Sequence, residues 1–142
     1  MATRNGSAEW RGDLQSGSGS LKVGDGVFEG SYSFASRFEE GEGTNPEELI
    51  AAAHAACFAM AFSNILAENG HAPESVDARA RAVLKEVDGA PTIARIELTA
   101  EGSVPGIDEG EYQRLAEQAK RDCPVSRALA SVPEIEMNAR LA

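Results

Sequence analysis

Residues 44–70 read TNPEELIAAAHAACFAMAFSNILAENG, and this stretch decides the architecture. Asn45 reads as a helix N-cap and Pro46 fits the first helical position, where a missing N–H costs nothing. Glu47 and Glu48 then fall in the first turn, where the helix dipole favours negative charge. Glu48, three residues after the cap, is placed to reach back to it. The run from Leu49 onward is strong in helix propensity and closes at Gly70, a suitable C-terminal cap. Its apolar residues cover nearly all faces, and a helix hydrophobic all round needs cover on all sides. A chain of 142 residues supplies that cover poorly, so a second subunit is expected against it.

Outward from this helix the pattern changes to short strands. On the N-terminal side, β-compatible pieces lie around Ala8–Trp10, Leu21–Val23 and Val27–Phe34, separated by the turn formers GSGS and GDG, with FEEGEG as a surface loop. On the C-terminal side, Val76, Ala78, Ala80, Ala82 and Leu84 alternate with largely polar neighbours. Asp88-Gly89-Ala90-Pro91 turns the chain, and Ile96, Leu98 and Ala100 alternate again, which predicts a hairpin. Helical spacing follows from Asp108 through Tyr112, Leu115, Ala116 and Ala119 and must stop before Pro124. Ile135, Met137, Ala139 and Leu141 close the chain as a strand. The order βββ-α-ββ-α-β predicts one α+β domain over residues 1–142, with helices packed against an antiparallel sheet.

Charge and composition remove several classes of function. Thirteen Lys and Arg against 23 Asp and Glu give a formal charge of −10, which argues against nucleic acid and against an anionic membrane surface. The start of the chain has no apolar segment behind a basic one, and the longest apolar stretch is interrupted by His54, Ser63 and Asn64, so neither an export signal nor a membrane span is expected. The two cysteines, Cys57 and Cys123, are too few for a disulfide scaffold. They suit a reducing cytoplasm, where the disulfide of interest is a transient one.

Residue types alone leave the chemistry open. Cys57, mid-helix among alanines, reads first as a small buried hydrophobe. Cys123, before Pro124, reads as the cap of a short helix through Arg127 and Ala128, and local electrostatics make it the better thiolate of the two. His54 and Cys57, three apart on one helical face, suggest a metal site that Cys123 would complete, against the plainer reading of a packed histidine. No G-x-S-x-G supports a serine hydrolase. Arg37 reads as a solvated charge at a strand end, and Glu47 as a partner of the helix dipole.

The runs RFEEGEGTNPEELIAAAHAACFAM, residues 37–60, and DCPVSRAL, residues 122–129, closely resemble the OsmC/Ohr family of thiol peroxidases, in its osmotically inducible protein C branch. Both motifs occur in the right order, each with its cysteine, and the strand-helix order is compatible along essentially the whole chain. The resemblance implies an intertwined homodimer around long buried central helices and the reduction of organic hydroperoxides. By position it implies that Cys57 is the peroxidatic cysteine and Cys123 the resolving one, that Arg37 stabilises the thiolate, and that Glu47 holds Arg37. It overrules the local ranking of the two thiols, since an adjacent guanidinium outweighs the dipole of a short helix. It implies no cofactor and no metal, and a dithiol reductant of lipoyl type. Two rival readings stand beside it, a small-molecule-binding module of the same fold and a zinc-binding structural protein.

Overall fold

The computed structural model describes all 142 residues, which gather into two compact units, Met1–Leu49 and Ile50–Ala142. In the first, β1 (Gly6–Arg11), β2 (Ser18–Val23) and β3 (Phe28–Tyr32) form an antiparallel meander. Trp10 and Tyr32 close over Gly19, their ring centroids 5.3 Å apart. A Cβ at Gly19 would lie 2.5 Å from the Tyr32 ring and 2.7 Å from that of Trp10, so only glycine fits between them. The third strand stops at Tyr32, short of the expected Phe34, because Ser33 and Ser36 form a reciprocal capping box that starts a short helix, α1 (Phe34–Phe38).

The helix decided by the sequence, α2 (Pro46–Glu68), begins in the first unit and has its body in the second. Asn45 caps it as expected, with its Oδ1 accepting the Glu48 N–H at 2.8 Å, and Gly70 ends it at φ +85°. The exposed Glu48 side chain does not return a bond; Asn45 Nδ2 instead donates to the Ser36 carbonyl, 2.9 Å away, and fastens the helix start to α1.

In the second unit, β4 (Ser75–Val87) and β5 (Ala90–Ser103) are the predicted hairpin. Its loop is the pair Asp88-Gly89, both at positive φ as a tight two-residue turn requires. The helices α3 (Glu109–Asp122) and α4 (Pro124–Ala128) then lead to β6 (Glu134–Leu141). Here the expectation of an antiparallel sheet is corrected. The order is β4-β5-β6, and β6 runs parallel to β5, because α3 and α4 form a crossover that returns the chain to the same end of the sheet.

Leu98 and Ala100 of β5 join Phe58, Phe62 and Leu66 of α2 and Tyr112, Leu115, Ala116 and Ala119 of α3 in one buried hydrophobic cluster. Phe62 centres the aromatic contacts, 5.6 Å from Phe58 and 5.1 Å from Tyr112, whose hydroxyl donates to the Arg140 carbonyl at 2.8 Å. By length and composition α2 is apolar enough to cross a membrane, which the sequence reading did not expect. Its stripe at Ala51, His54, Phe58, Phe62, Ile65 and Leu66 is buried in protein. The opposite face, with Ala52, Ala53, Ala56 and Met60, lies exposed.

Candidate active site

Two constellations carry chemistry, one in each unit. In the first, the capping box on Ser33 fixes α1, and Ser36 Oγ donates to the Thr44 carbonyl at 2.8 Å, tying α1 to the chain just before α2. This bracing sets Arg37 opposite Glu47. The guanidinium grips the carboxylate through Nη2 to Oε1 at 2.7 Å and through Nε to Oε1 and Oε2 at 3.1 and 3.3 Å. Glu47 is almost fully buried, so its charge is compensated by Arg37 rather than by water, and the plain reading of Glu47 as a mere dipole partner is corrected. Arg37 also lies over the Phe38 ring, its Cζ 5.3 Å from the centroid. Beside it opens a mainly apolar cleft of about 230 Å3, walled by Trp10, Leu14, Tyr32, Phe34 and Phe38. Two larger depressions, each about 580 Å3, lie on the open sheet faces, and no cysteine lines either of them.

In the second unit the two cysteines meet. Cys57 projects from mid-α2 and is half-buried. Cys123 is fully buried at the junction where α3 ends and α4 begins, held there by Pro124 at the first position of α4. Their sulfurs are 3.2 Å apart and both are free thiols, so a modest approach closes the roughly 2.05 Å bond of a disulfide. Cys123 caps α4 as expected: its Sγ accepts the Ser126 N–H at 3.4 Å and lies 3.5 Å from the Ser126 hydroxyl. Burial pushes the Cys123 thiol up, but the hydrogen bonds from the Ser126 hydroxyl and N–H, with those of Cys57 and the Val125 N–H, together outweigh it and leave the thiol below its ordinary value. Burial raises Cys57 above its ordinary value; the Val125 N–H opposes this, and the neighbouring Cys123 adds to it. Within this unit the local ranking of the thiols therefore holds.

Behind Cys123 lies a pair that the sequence reading missed. The fully buried His54 places its Nε2 2.7 Å from Ser126 Oγ. The spacing of Ser126, three residues after the cap Cys123, was the available signal for it. His54, Cys57 and Cys123 are not gathered into a group that could hold a metal ion, and His54 Nε2 faces the Ser126 hydroxyl.

The structure thus combines helices with β-sheet, with a dithiol formed by Cys57 of mid-α2 and Cys123 in the second unit and, in the first, an arginine anchored on Glu47. The family described as OsmC-like protein matches residues 39–138, and the chain belongs to that family. Glu47, Cys57 and Cys123 lie inside the matched stretch, with Arg37 two residues before it. The chain is 46% identical over 127 residues, 89% of each protein, to "Peroxiredoxin OsmC" of Escherichia coli (strain K12). It is 37% identical over 89 residues to the "Organic hydroperoxide resistance protein" of Xanthomonas axonopodis pv. citri, covering 62% of this chain and 61% of that one. An organic hydroperoxide resistance protein from Elizabethkingia anophelis superposes with a TM-score of 0.73 at 26% identity, over 100% of this chain and 96% of its own. An OsmC protein from Legionella pneumophila, at 22% identity, shares the fold with a TM-score of 0.72 over 100% and 99% of the two chains.

Proposed function

We propose that this chain, a peroxidase of the OsmC-like family, reduces organic hydroperoxides with Cys57 as nucleophile and Cys123 as the thiol that resolves it. The observation that carries the reading is the 3.2 Å approach of a half-buried thiol to a fully buried one. A thiolate at Cys57 attacks the O–O bond, releases the alcohol and becomes a sulfenic acid. A second thiol at contact distance condenses with it to a disulfide before further oxidation. Arg37, held by Glu47, is assigned to Cys57. A cation beside a thiol raised by burial restores its ionisation and hydrogen-bonds the leaving oxygen as charge builds there. The apolar cleft beside Arg37 suits a small alkyl or aryl substituent, which favours organic hydroperoxides over hydrogen peroxide. The exposed apolar face of α2, centred on Met60, is assigned to a second copy of the chain in a homodimer. An external dithiol of lipoyl type returns the disulfide to two thiols in the cytoplasm, without a bound cofactor.

The division of labour is tested by one equivalent of cumene hydroperoxide and mass spectrometry. Cys57→Ser should consume no peroxide. Cys123→Ser should consume about one equivalent and leave Cys57 as a sulfenate open to overoxidation. If Cys123→Ser is instead the inert variant, the roles are reversed and the reading fails.

A further inference from the structure

The peroxidase chemistry above uses four residues and leaves unexplained a fully buried histidine that makes a single side-chain hydrogen bond. His54 Nε2 meets Ser126 Oγ at 2.7 Å, and that hydroxyl lies 3.5 Å from Cys123 Sγ, which is itself 3.2 Å from Cys57 Sγ. Four residues from α2 and the α3–α4 junction thus form one unbroken polar file inside an apolar core.

The polarity of the file follows from the far side of the ring. His54 Nδ1 is buried and has no hydrogen-bond partner. Burial holds the imidazole below its ordinary pKa and hence neutral, so it carries one N–H. Orphaned buried N–H groups are rarer than under-satisfied acceptors, so the proton belongs on Nε2 and the bare lone pair on Nδ1. Nε2–H then donates to Ser126 Oγ, and the hydroxyl proton is left to point at Cys123 Sγ beside the Ser126 N–H.

We propose that His54 and Ser126 are positioning residues for the resolving step, in which the Ser126 hydroxyl, oriented by His54, sustains Cys123 as the thiolate that attacks oxidised Cys57. This rests on the assignment of Cys123 as the resolving thiol. Once a hydroperoxide has converted Cys57 to the sulfenic acid, the Cys123 sulfur forms the S–S bond as the S–O bond of Cys57 breaks. The Cys57 sulfur gains the electrons that the Cys123 sulfur gives up. The proton lost by the Cys123 thiol ends on the departing hydroxide as water. The pair contributes donors to the attacking anion and does not touch the peroxide.

The experiment follows both steps in the reduced full-length protein with cumene hydroperoxide, using rapid quench. Dimedone reports the Cys57 sulfenate, and intact mass reports the Cys57–Cys123 disulfide. Ser126→Ala and His54→Phe should form the sulfenate at the wild-type rate but close the disulfide on the order of tenfold more slowly, the scale set by one hydrogen bond to a charged atom. Sulfinate should accumulate at Cys57 as excess peroxide is added. His54→Gln, whose amide still offers a donor, should recover most of the closing rate, which a purely space-filling role for the imidazole does not predict. The thermal melt of each variant checks that it is folded, and Ser126→Ala, which removes a single oxygen, carries the test if His54→Phe does not fold. Wild-type closure in Ser126→Ala, or equal slowing of both steps, overturns the proposal. Absence of any Cys57–Cys123 disulfide in the wild type instead overturns the resolving role of Cys123, and this proposal with it.

Discussion

The ion pair between Arg37 and Glu47 gives a prediction whose size follows from its geometry. The contacts are forked, at 2.7 and 3.1 Å to Oε1 with a third at 3.3 Å to Oε2. The glutamate side chain is 8% exposed and the arginine 37%. Hydrogen bonds between charged partners are worth roughly 1.5–3 kcal/mol each when water is excluded. Here the arginine end is open enough for water to replace part of what a mutation removes, so the two strongest bonds together should be worth about 1–2 kcal/mol. A double-mutant cycle of Arg37→Ala and Glu47→Gln, read by urea denaturation, should show a coupling of that size. Each single variant should melt about 3–8 °C below the wild type, given the usual scaling for a domain of this length. Glu47→Gln keeps the volume but presents an amide N–H to a guanidinium, so its loss comes from mispairing. Arg37→Lys keeps the charge but cannot fork, and should recover less than half of the coupling. Additive single variants, with coupling below about 0.3 kcal/mol, would show that the pair contributes no stability and that Glu47 does not hold Arg37 in place.

Three further outcomes are expected. Burial raises Cys57, and the role proposed for Arg37 is to offset this, so Arg37→Ala should move the midpoint of Cys57 alkylation upward from that of the wild type; identical pH profiles would detach Arg37 from the thiol. Burial holds His54 below the ordinary imidazole value, so the unfolded chain takes up a proton there that the folded chain refuses. Stability from this group is complete above about pH 6.5 and is lost as pH falls from there through the folded value, and the melting temperature of His54→Gln should vary less between pH 8 and pH 5 than that of the wild type; equal slopes would refute the assignment. Light scattering should give twice the 15.0 kDa chain mass at low micromolar concentration, and Met60→Glu, on the exposed apolar face of α2, should shift it toward the single-chain mass; a folded wild-type monomer would remove the assignment of that face to a second copy.

What the sequence made legible depended on how local the deciding interaction is. The ends of α2 were readable because Asn45, Pro46 and Gly70 act within a few residues of themselves, and the β4–β5 turn because Asp88-Gly89 needs no partner elsewhere. The short helix α1 was not, because Ser33 and Ser36 cap each other through two serines and FASRF continues the apolar spacing of the preceding strand. The direction of β6 was invisible for a different reason. Alternation fixes which face of a strand is dry but is the same read in either direction, so only the path of α3 and α4 makes β6 parallel to β5. The Cys57–Cys123 contact depends on that same path: 66 residues separate the sulfurs in the chain, and the crossover ends with Cys123 against α2.

The two thiols also show why ionisation alone is a poor guide to their roles. Ser126 favours the anion at Cys123, and burial disfavours it at Cys57, yet Cys123 is wholly buried while Cys57 is not. Under the proposed roles a hydroperoxide must reach the sulfur that attacks it, and the half-buried Cys57 meets that requirement where the fully buried Cys123 does not. The resolving thiol meets no outside reactant. It needs only to be an anion at the moment its neighbour is oxidised, and low basicity with complete burial suits that task. The proposed division calls for a cation at the half-buried Cys57, whereas the hydroxyl and N–H of Ser126 already stand against the buried Cys123.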